Sequence, residues 1–159
     1  MSFVFHNQVV LITGASSGIG ESLAHKFYEC GCKVILAARR VGELERVRRD
    51  LLNTKLSDGI QSIRPEIIQL DLEQIKQLTE KANEILSTSP QIDILINNAG
   101  VNMRSGARTV SAEVDARVTN VNYLGTISFT KAFLPSMIEQ KQGKIVFVSS
   151  VLGRFSFPY

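Results

Sequence analysis

The chain has 159 residues, 44% hydrophobic and 21% charged, proportions that exclude a disordered or fibrous protein and suit one globular domain over residues 1–159. The formal net charge of +3 does not point to nucleic acid: the five arginines between Arg39 and Arg49 supply most of the excess, and no aromatic-and-basic interleaving or helix-turn-helix pattern accompanies them. Cys30 and Cys32 flank Gly31 in a spacing that matches no metal framework and read as reduced, structural thiols.

Met1 to Gln8 carries no charged leader and no long apolar run, so the expectation is a chain without signal peptide or membrane span, cytoplasmic by default. Val9 to Thr13 is a short apolar run ending at a glycine, the pattern of a strand buried on both faces of a parallel sheet. From Gly18 to Cys30, the residues Ile19, Leu23, Ala24 and Phe27 recur at helical spacing, and Gly31 is a natural left-handed stop. Lys33 to Ala38 reads as a second buried strand. Leu44, Val47, Leu51 and Leu52 then form an apolar stripe on an otherwise charged helix, which the loop from Ser57 to Pro65 ends.

Glu66 to Leu70 is the third predicted strand. Gln74 to Leu86 is the third helix, with Ile75, Leu78, Ala82, Ile85 and Leu86 on one side. Ile92 to Ile96 makes the fourth strand. A long helical region from about Ser111 to Gln140 follows, with a break or bend expected near Pro135, whose ring removes a backbone donor. Lys144 to Val148 is the fifth strand. Strict alternation of buried strand and amphipathic helix predicts the α/β class: a Rossmann-type doubly wound parallel sheet in three α/β/α layers, with right-handed crossovers placing helices on both faces.

Chemistry concentrates after the first strand. Thr13-Gly14-Ala15-Ser16-Ser17-Gly18-Ile19-Gly20 joins a buried strand to a helix, and glycines there permit turns that a Cβ would block and let a pyrophosphate approach the backbone. Unpaired amides at the helix start face the anion. At the end of the second strand, where an acidic residue would receive the ribose hydroxyls of NAD, the sequence has Ala38-Arg39-Arg40. Guanidinium groups bind phosphate through a planar fork, so the pair favours the 2′-phosphate of NADP(H); both arginines also fit as solvated charges opening a basic helix. Asp71 follows the third strand, where it can accept from an adenine amino group or cap the next helix.

The glycine loop, Asn97-Asn98-Ala99-Gly100, Asn122 within Val121-Asn122-Tyr123-Leu124-Gly125, and Gly143-Lys144-Ile145-Val146 running into Ser149-Ser150 together resemble the short-chain dehydrogenase/reductase family over nearly the whole chain. The stretches Ala38 to Val47 and Met137 to Lys144 resemble its dehydrogenase/reductase member 7 branch. The resemblance implies that Ser16, Ser17 and Ile19 contact the cofactor beside Gly14, Gly18 and Gly20, that Asp71 and Leu72 border adenine, and that Asn98, Ala99 and Gly100 line the nicotinamide ribose. It gives Asn97 a structural role, stitching neighbouring strands, and places Asn122 in a proton relay that holds a water behind a catalytic lysine. Ser150 is the expected catalytic serine, with Ser149 the near alternative, hydrogen-bonding a carbonyl oxygen while NADPH delivers hydride to its carbon.

In the family the proton comes from a Tyr-x-x-x-Lys motif about thirteen residues beyond the serine. Tyr159 lies nine residues after Ser150 with nothing after it, so it is expected to be structural, and the motif is expected to fall past the terminus of a truncated chain. The fold would then be incomplete after the fifth strand, whose uncovered edge invites pairing with other chains. Two functional readings stand at this point. One is an NADP(H)-dependent carbonyl reductase or alcohol dehydrogenase acting on apolar ketones or secondary alcohols, retinoid-like or steroid-like, with a homo-oligomer for the full-length form. The other is a catalytically inactive nucleotide-binding fragment or regulatory partner. Relatives in the branch carry a membrane anchor ahead of the first strand, which makes the endoplasmic reticulum membrane the alternative location.

Overall fold

Successive side chains of a strand take opposite faces of a sheet, and this sets the layers. In β1 (Val9–Thr13), Val10 and Ile12 point to one side and Leu11 to the other, and all three are fully buried. Cover is therefore needed on both sides. Helices α1 (Gly18–Glu29) and α2 (Val41–Leu52) provide it on the first, packing Ala24, Tyr28, Leu44, Val47 and Leu51 against Val10 and Ile12. Helices α3 (Leu78–Thr88) and α5 (Thr126–Glu139) provide it on the second with Leu78, Ala82, Ile85, Phe129, Phe133 and Met137. The rings of Phe129 and Phe133 meet edge to face, with centroids 5.0 Å apart. The computed structural model describes residues 5–103, 106 and 108–154; the readings of the segment from Met1 and of Tyr159 fall partly or wholly outside them.

The remaining strands are β2 (Lys33–Ala38), β3 (Glu66–Gln69), β4 (Ile94–Asn97) and β5 (Lys144–Phe147), and the sheet is parallel throughout in the order β3-β2-β1-β4-β5. The chain winds outward from β1 to β3, then returns across the sheet to place β4 beside β1. Connections leave β1 and β4 in opposite directions, so a crevice opens between them at the carboxyl ends of the strands. The three-layer, doubly wound architecture expected from the sequence is the one observed. The fifth strand lies at the edge, with Val146 43% and Phe147 55% exposed. Among the described residues, no helix is long and apolar enough to cross a membrane.

Three local expectations need correction. The third helix begins not at Gln74 but with a 3₁₀ turn over Ile75–Gln77 that feeds α3. The fourth strand starts at Ile94 and not at Ile92. The break expected at Pro135 does not occur: α5 runs through Pro135, and the long helical region is interrupted by a π-helical segment over Asn120–Gly125 between α4 (Ala112–Thr119) and α5. Pro135 and Lys131, four residues before it, are both exposed, so the carbonyl that loses its helical donor can turn to water.

At the amino edge of the sheet, Asp93 is only 5% exposed. Its carboxylate accepts from Val9 N (2.8 Å), Gln91 Nε2 (2.5 Å) and Gln142 Nε2 (2.7 Å), while its main chain bonds Val9 O and Lys144 N. A buried charge with three donors is satisfied, and these bonds tie β1, β4 and β5 together at their start.

The two cysteines differ as their surroundings do. Cys32 is buried and donates from Sγ to Phe5 O at 3.0 Å, and desolvation pushes its thiol up to about 12, whereas Cys30 is exposed. A thiol alkylates as thiolate. Iodoacetamide at pH 8 is therefore expected to label Cys30 in the native protein and Cys32 only after denaturation; equal native labelling of both, read by mass spectrometry, would refute this.

Candidate functional site

The glycine loop leaves β1 through Gly14, whose φ of +67° favours glycine. Space demands it as well: a Cβ on Gly14 would lie 2.8 Å from Ala99 Cα, and one on Gly20 would lie 2.4 Å from Gly14 O. The loop is thus folded onto the end of β4. Asn98 fastens it there, donating from Nδ2 to Thr13 O (3.0 Å) and Gly14 O (3.3 Å). Thr13, fully buried, accepts through Oγ1 from the amides of Asn98 (3.0 Å) and Ala99 (3.1 Å) and donates to Ile96 O at 3.3 Å.

A cleft of about 350 Å³ lies over this junction, at the carboxyl edge of the sheet. Gly14, Ser16, Ser17 and Ile19 form its floor and one wall. Arg39 and Arg40 stand at the end of β2, Asp71 and Leu72 at the end of β3, and Asn98, Ala99 and Gly100 at the end of β4. Every cofactor residue predicted from the sequence lines this cleft except Gly18 and Gly20. Gly18 contributes a φ of +61° at the start of α1, and Gly20 the close approach to the loop. Ile19 is 61% exposed although it carries a large apolar side chain.

The guanidinium of Arg40 reaches across the cleft mouth and donates from Nη2 to Ser16 Oγ (3.0 Å) and Ser17 Oγ (2.9 Å). Arg39 lines the same cleft and has no hydrogen-bond or ion-pair partner among the described residues. Farther along α2, Arg46 pairs with Glu21, Glu43 and Asp50, and Arg48 with Glu45. Hydrogen bonding to Arg46 holds the Glu21 carboxyl below its ordinary range. Arg39 and Arg40 are both exposed, a setting that a solvated charge and a phosphate ligand share. Asp71 lines the cleft and does not cap the next helical segment, whose N-cap is Gln74; its Oδ1 accepts from Glu73 N at 3.1 Å in the turn ahead of it.

Asn97 is 4% exposed and donates from Nδ2 to Thr130 Oγ1 at 3.0 Å. Its side chain thus ties β4 to α5, where the resemblance implied a tie between strands; its main-chain oxygen does that, accepting from Val148 N. Asn122 pairs both ends of its amide with Val101, Oδ1 accepting from the backbone N and Nδ2 donating to the backbone O, each at 2.8 Å. Ser150 follows β5 and accepts through Oγ from Leu152 N at 3.1 Å, which leaves its own proton available to donate. The register Asn97↔Phe147 sets Ser149 and Ser150 at the same sheet edge as Ala99 and Gly100, although neither serine lines the cleft itself.

Sequence reasoning missed Thr13, Leu70, Val101 and Val121. Thr13 read as the last residue of a strand; the clue was a hydroxyl in a position buried on all sides, which must find partners. The wall residues Leu70, Val101 and Val121 follow or precede recognised motif residues and carry no chemical signal of their own. Among the described residues no group of His, Cys, Asp and Glu could hold a metal ion.

Comparison with known proteins adds a family. The short chain dehydrogenase model matches residues 8–159. The chain is 48% identical over 158 residues to "Dehydrogenase/reductase SDR family protein 7-like" of Drosophila melanogaster, covering 97% of this chain and 48% of that protein. It is 44% identical over 155 residues to "Dehydrogenase/reductase SDR family member 7" of Homo sapiens, covering 96% of this chain and 44% of that protein. It therefore spans about half the length of the curated relatives it matches. Among solved structures it resembles a metagenomic short-chain oxidoreductase in complex with NADP (TM-score 0.85, 31% identity, 99% of this chain and 67% of that one). It also resembles an alcohol dehydrogenase from Thermococcus sibiricus complexed with 5-hydroxy-NADP (TM-score 0.86, 28% identity, 97% and 63%).

Proposed function

Because the chain belongs to the short-chain dehydrogenase/reductase family, we propose that it carries the NADP(H) site of a carbonyl reductase or alcohol dehydrogenase acting on an apolar ketone or secondary alcohol such as a retinoid or steroid. One observation carries the reading: Arg39 and Arg40 share a cleft with the glycine loop, and the Arg40 guanidinium already rests on the Ser16 and Ser17 hydroxyls. The residues fit such a ligand: the loop residues Gly14, Ser16, Ser17 and Ile19 line the cleft together with both arginines, the combination of glycine-loop backbone and guanidinium groups that a phosphorylated dinucleotide needs. Arg39 and Arg40 would hold the 2′-phosphate, Asp71 and Leu72 the adenine, and Ala99 and Gly100 the ribose next to nicotinamide.

The bound nicotinamide supplies hydride chemistry. Ser150 would donate its free proton in a hydrogen bond to the substrate oxygen, stabilising charge that develops there. Asn122, by fixing Val101, keeps the strand end that borders the cleft in place, and its proposed part in a proton relay rests on the family resemblance. Titrating the chain with NADPH is expected to give saturable binding, and the absence of saturation would remove the nucleotide reading. Offered a panel of apolar ketones and aldehydes, the whole protein is expected to oxidise NADPH, with Ser150→Ala slowing turnover by about 10²-fold. No oxidation with any of the panel would defeat the carbonyl reductase assignment.

A further inference from the structure

The π-helical segment is held by a chain of buried hydroxyls. Thr126 Oγ1 donates to Val121 O at 3.0 Å, Thr130 Oγ1 donates to Thr126 O at 2.8 Å, and Asn97 Nδ2 donates to Thr130 Oγ1 at 3.0 Å. Thr126 and Thr130 are each 7% exposed. The direction of the chain is fixed by donor count. The one proton of Thr130 goes to Thr126 O, so its oxygen can only accept from Asn97, and the Asn97 amide must present Nδ2 to it. Asn97 Oδ1 is thereby left buried without a partner among the described residues, an unfavourable arrangement that persists because the rest of the chain over-determines it.

Both ends of this chain reach the cleft. Asn97 precedes Asn98 and Ala99, which line it, and Val121 lines it directly, next to Asn122. A threonine hydroxyl on the carbonyl five residues earlier suits a wide turn, since it supplies a donor to an oxygen that the π geometry takes out of the ordinary helical ladder. The wide turn is what brings Asn122 to Val101.

We propose that Asn97, Thr130 and Thr126 are positioning residues, a buried relay from the end of β4 to the π-helical turn that sets Val121 and Asn122 against the nicotinamide end of the cleft. That this end of the cleft receives nicotinamide rests on the proposed function; the placement of Asn122 on Val101 does not. The relay's own hydrogen bonds run between β4 and the π-helical turn, and none of them goes to Arg39, Arg40 or the glycine loop.

The test compares Thr126→Val, which keeps shape and removes the hydroxyl, with Thr126→Ser, which keeps the hydroxyl. Amide hydrogen exchange at Val101 is expected to quicken in Thr126→Val and return to the wild-type rate in Thr126→Ser, while amides of β1 and β2 stay unchanged in both. Affinity for NADPH is expected to fall about five- to tenfold in Thr126→Val, whereas 2′-phospho-ADP-ribose, which lacks nicotinamide, binds as to wild type. Unchanged exchange at Val101, or equal weakening of both ligands, would overturn the relay. If wild type bound neither ligand, the nucleotide reading would fall and the exchange comparison would still decide the relay. Should Thr126→Val not fold, Thr126→Ala against Thr126→Ser gives the same contrast.

Discussion

The double variant Arg39→Ala/Arg40→Ala is expected to bind NADPH about 100-fold more weakly than wild type while its affinity for NADH changes less than about threefold, since hydrogen bonds to charged groups are worth roughly 1.5–3 kcal/mol each. Only NADPH carries the 2′-phosphate, so only it loses both guanidinium contacts. Arg40 bonds hydroxyl oxygens and Arg39 has no partner among the described residues, so neither substitution breaks an ion pair, and melting temperature should hardly move. Isothermal titration with both nucleotides decides the matter. Equal losses for NADPH and NADH would mean that the arginines shape the cleft generally and do not read a phosphate.

The largest effect on stability is expected at Gly125. A Cβ there would lie 2.0 Å from Leu72 O and 2.8 Å from Asn120 O. Both obstacles are backbone atoms, which cannot swing aside as a side-chain end can, so the π-helical segment and the strand end bearing Asp71 and Leu72 would have to part. Overpacking of this kind costs about 3 kcal/mol, and nucleotide affinity should fall with it because Leu72 and Val121 line the cleft. Gly42, in the first turn of α2, supplies the contrast: nothing lies within 4 Å of its ideal Cβ, and Gly42→Ala should stabilise by about 0.5 kcal/mol. Urea melts of the two variants measure both. Wild-type stability for Gly125→Ala would show that the contact with Leu72 relaxes freely.

The contrast between these two glycines also shows what can be read from a sequence. Continuous apolar runs such as Val9 to Thr13 announce doubly covered strands, and a glycine loop in the right place announces its ligand class, because both are local patterns with one physical cause. Arg39 and Arg40 could be placed since the end of β2 is a fixed address in a doubly wound sheet. The π-helical turn could not. It goes with the close approach of Gly125 to Leu72, residues 53 positions apart by their numbers, and no periodicity records that meeting. Pro135, a strong local signal, does not end its helix, since the carbonyl it orphans lies on an exposed turn, and exposure is a property of the fold. Thr13 and Thr130 were silent because a hydroxyl shows its role only once its partners are known.

Arg40 leans on serine oxygens, whereas Arg46 is clamped by three carboxylates. Positive charge is therefore cancelled along the middle of α2 and left standing at its first turn, over the open cleft. Such an uneven distribution acts as a funnel: an anion diffusing past would be drawn toward one rim of the molecule, and the pull would fade once dissolved salt shortens its reach to about 8 Å at physiological ionic strength.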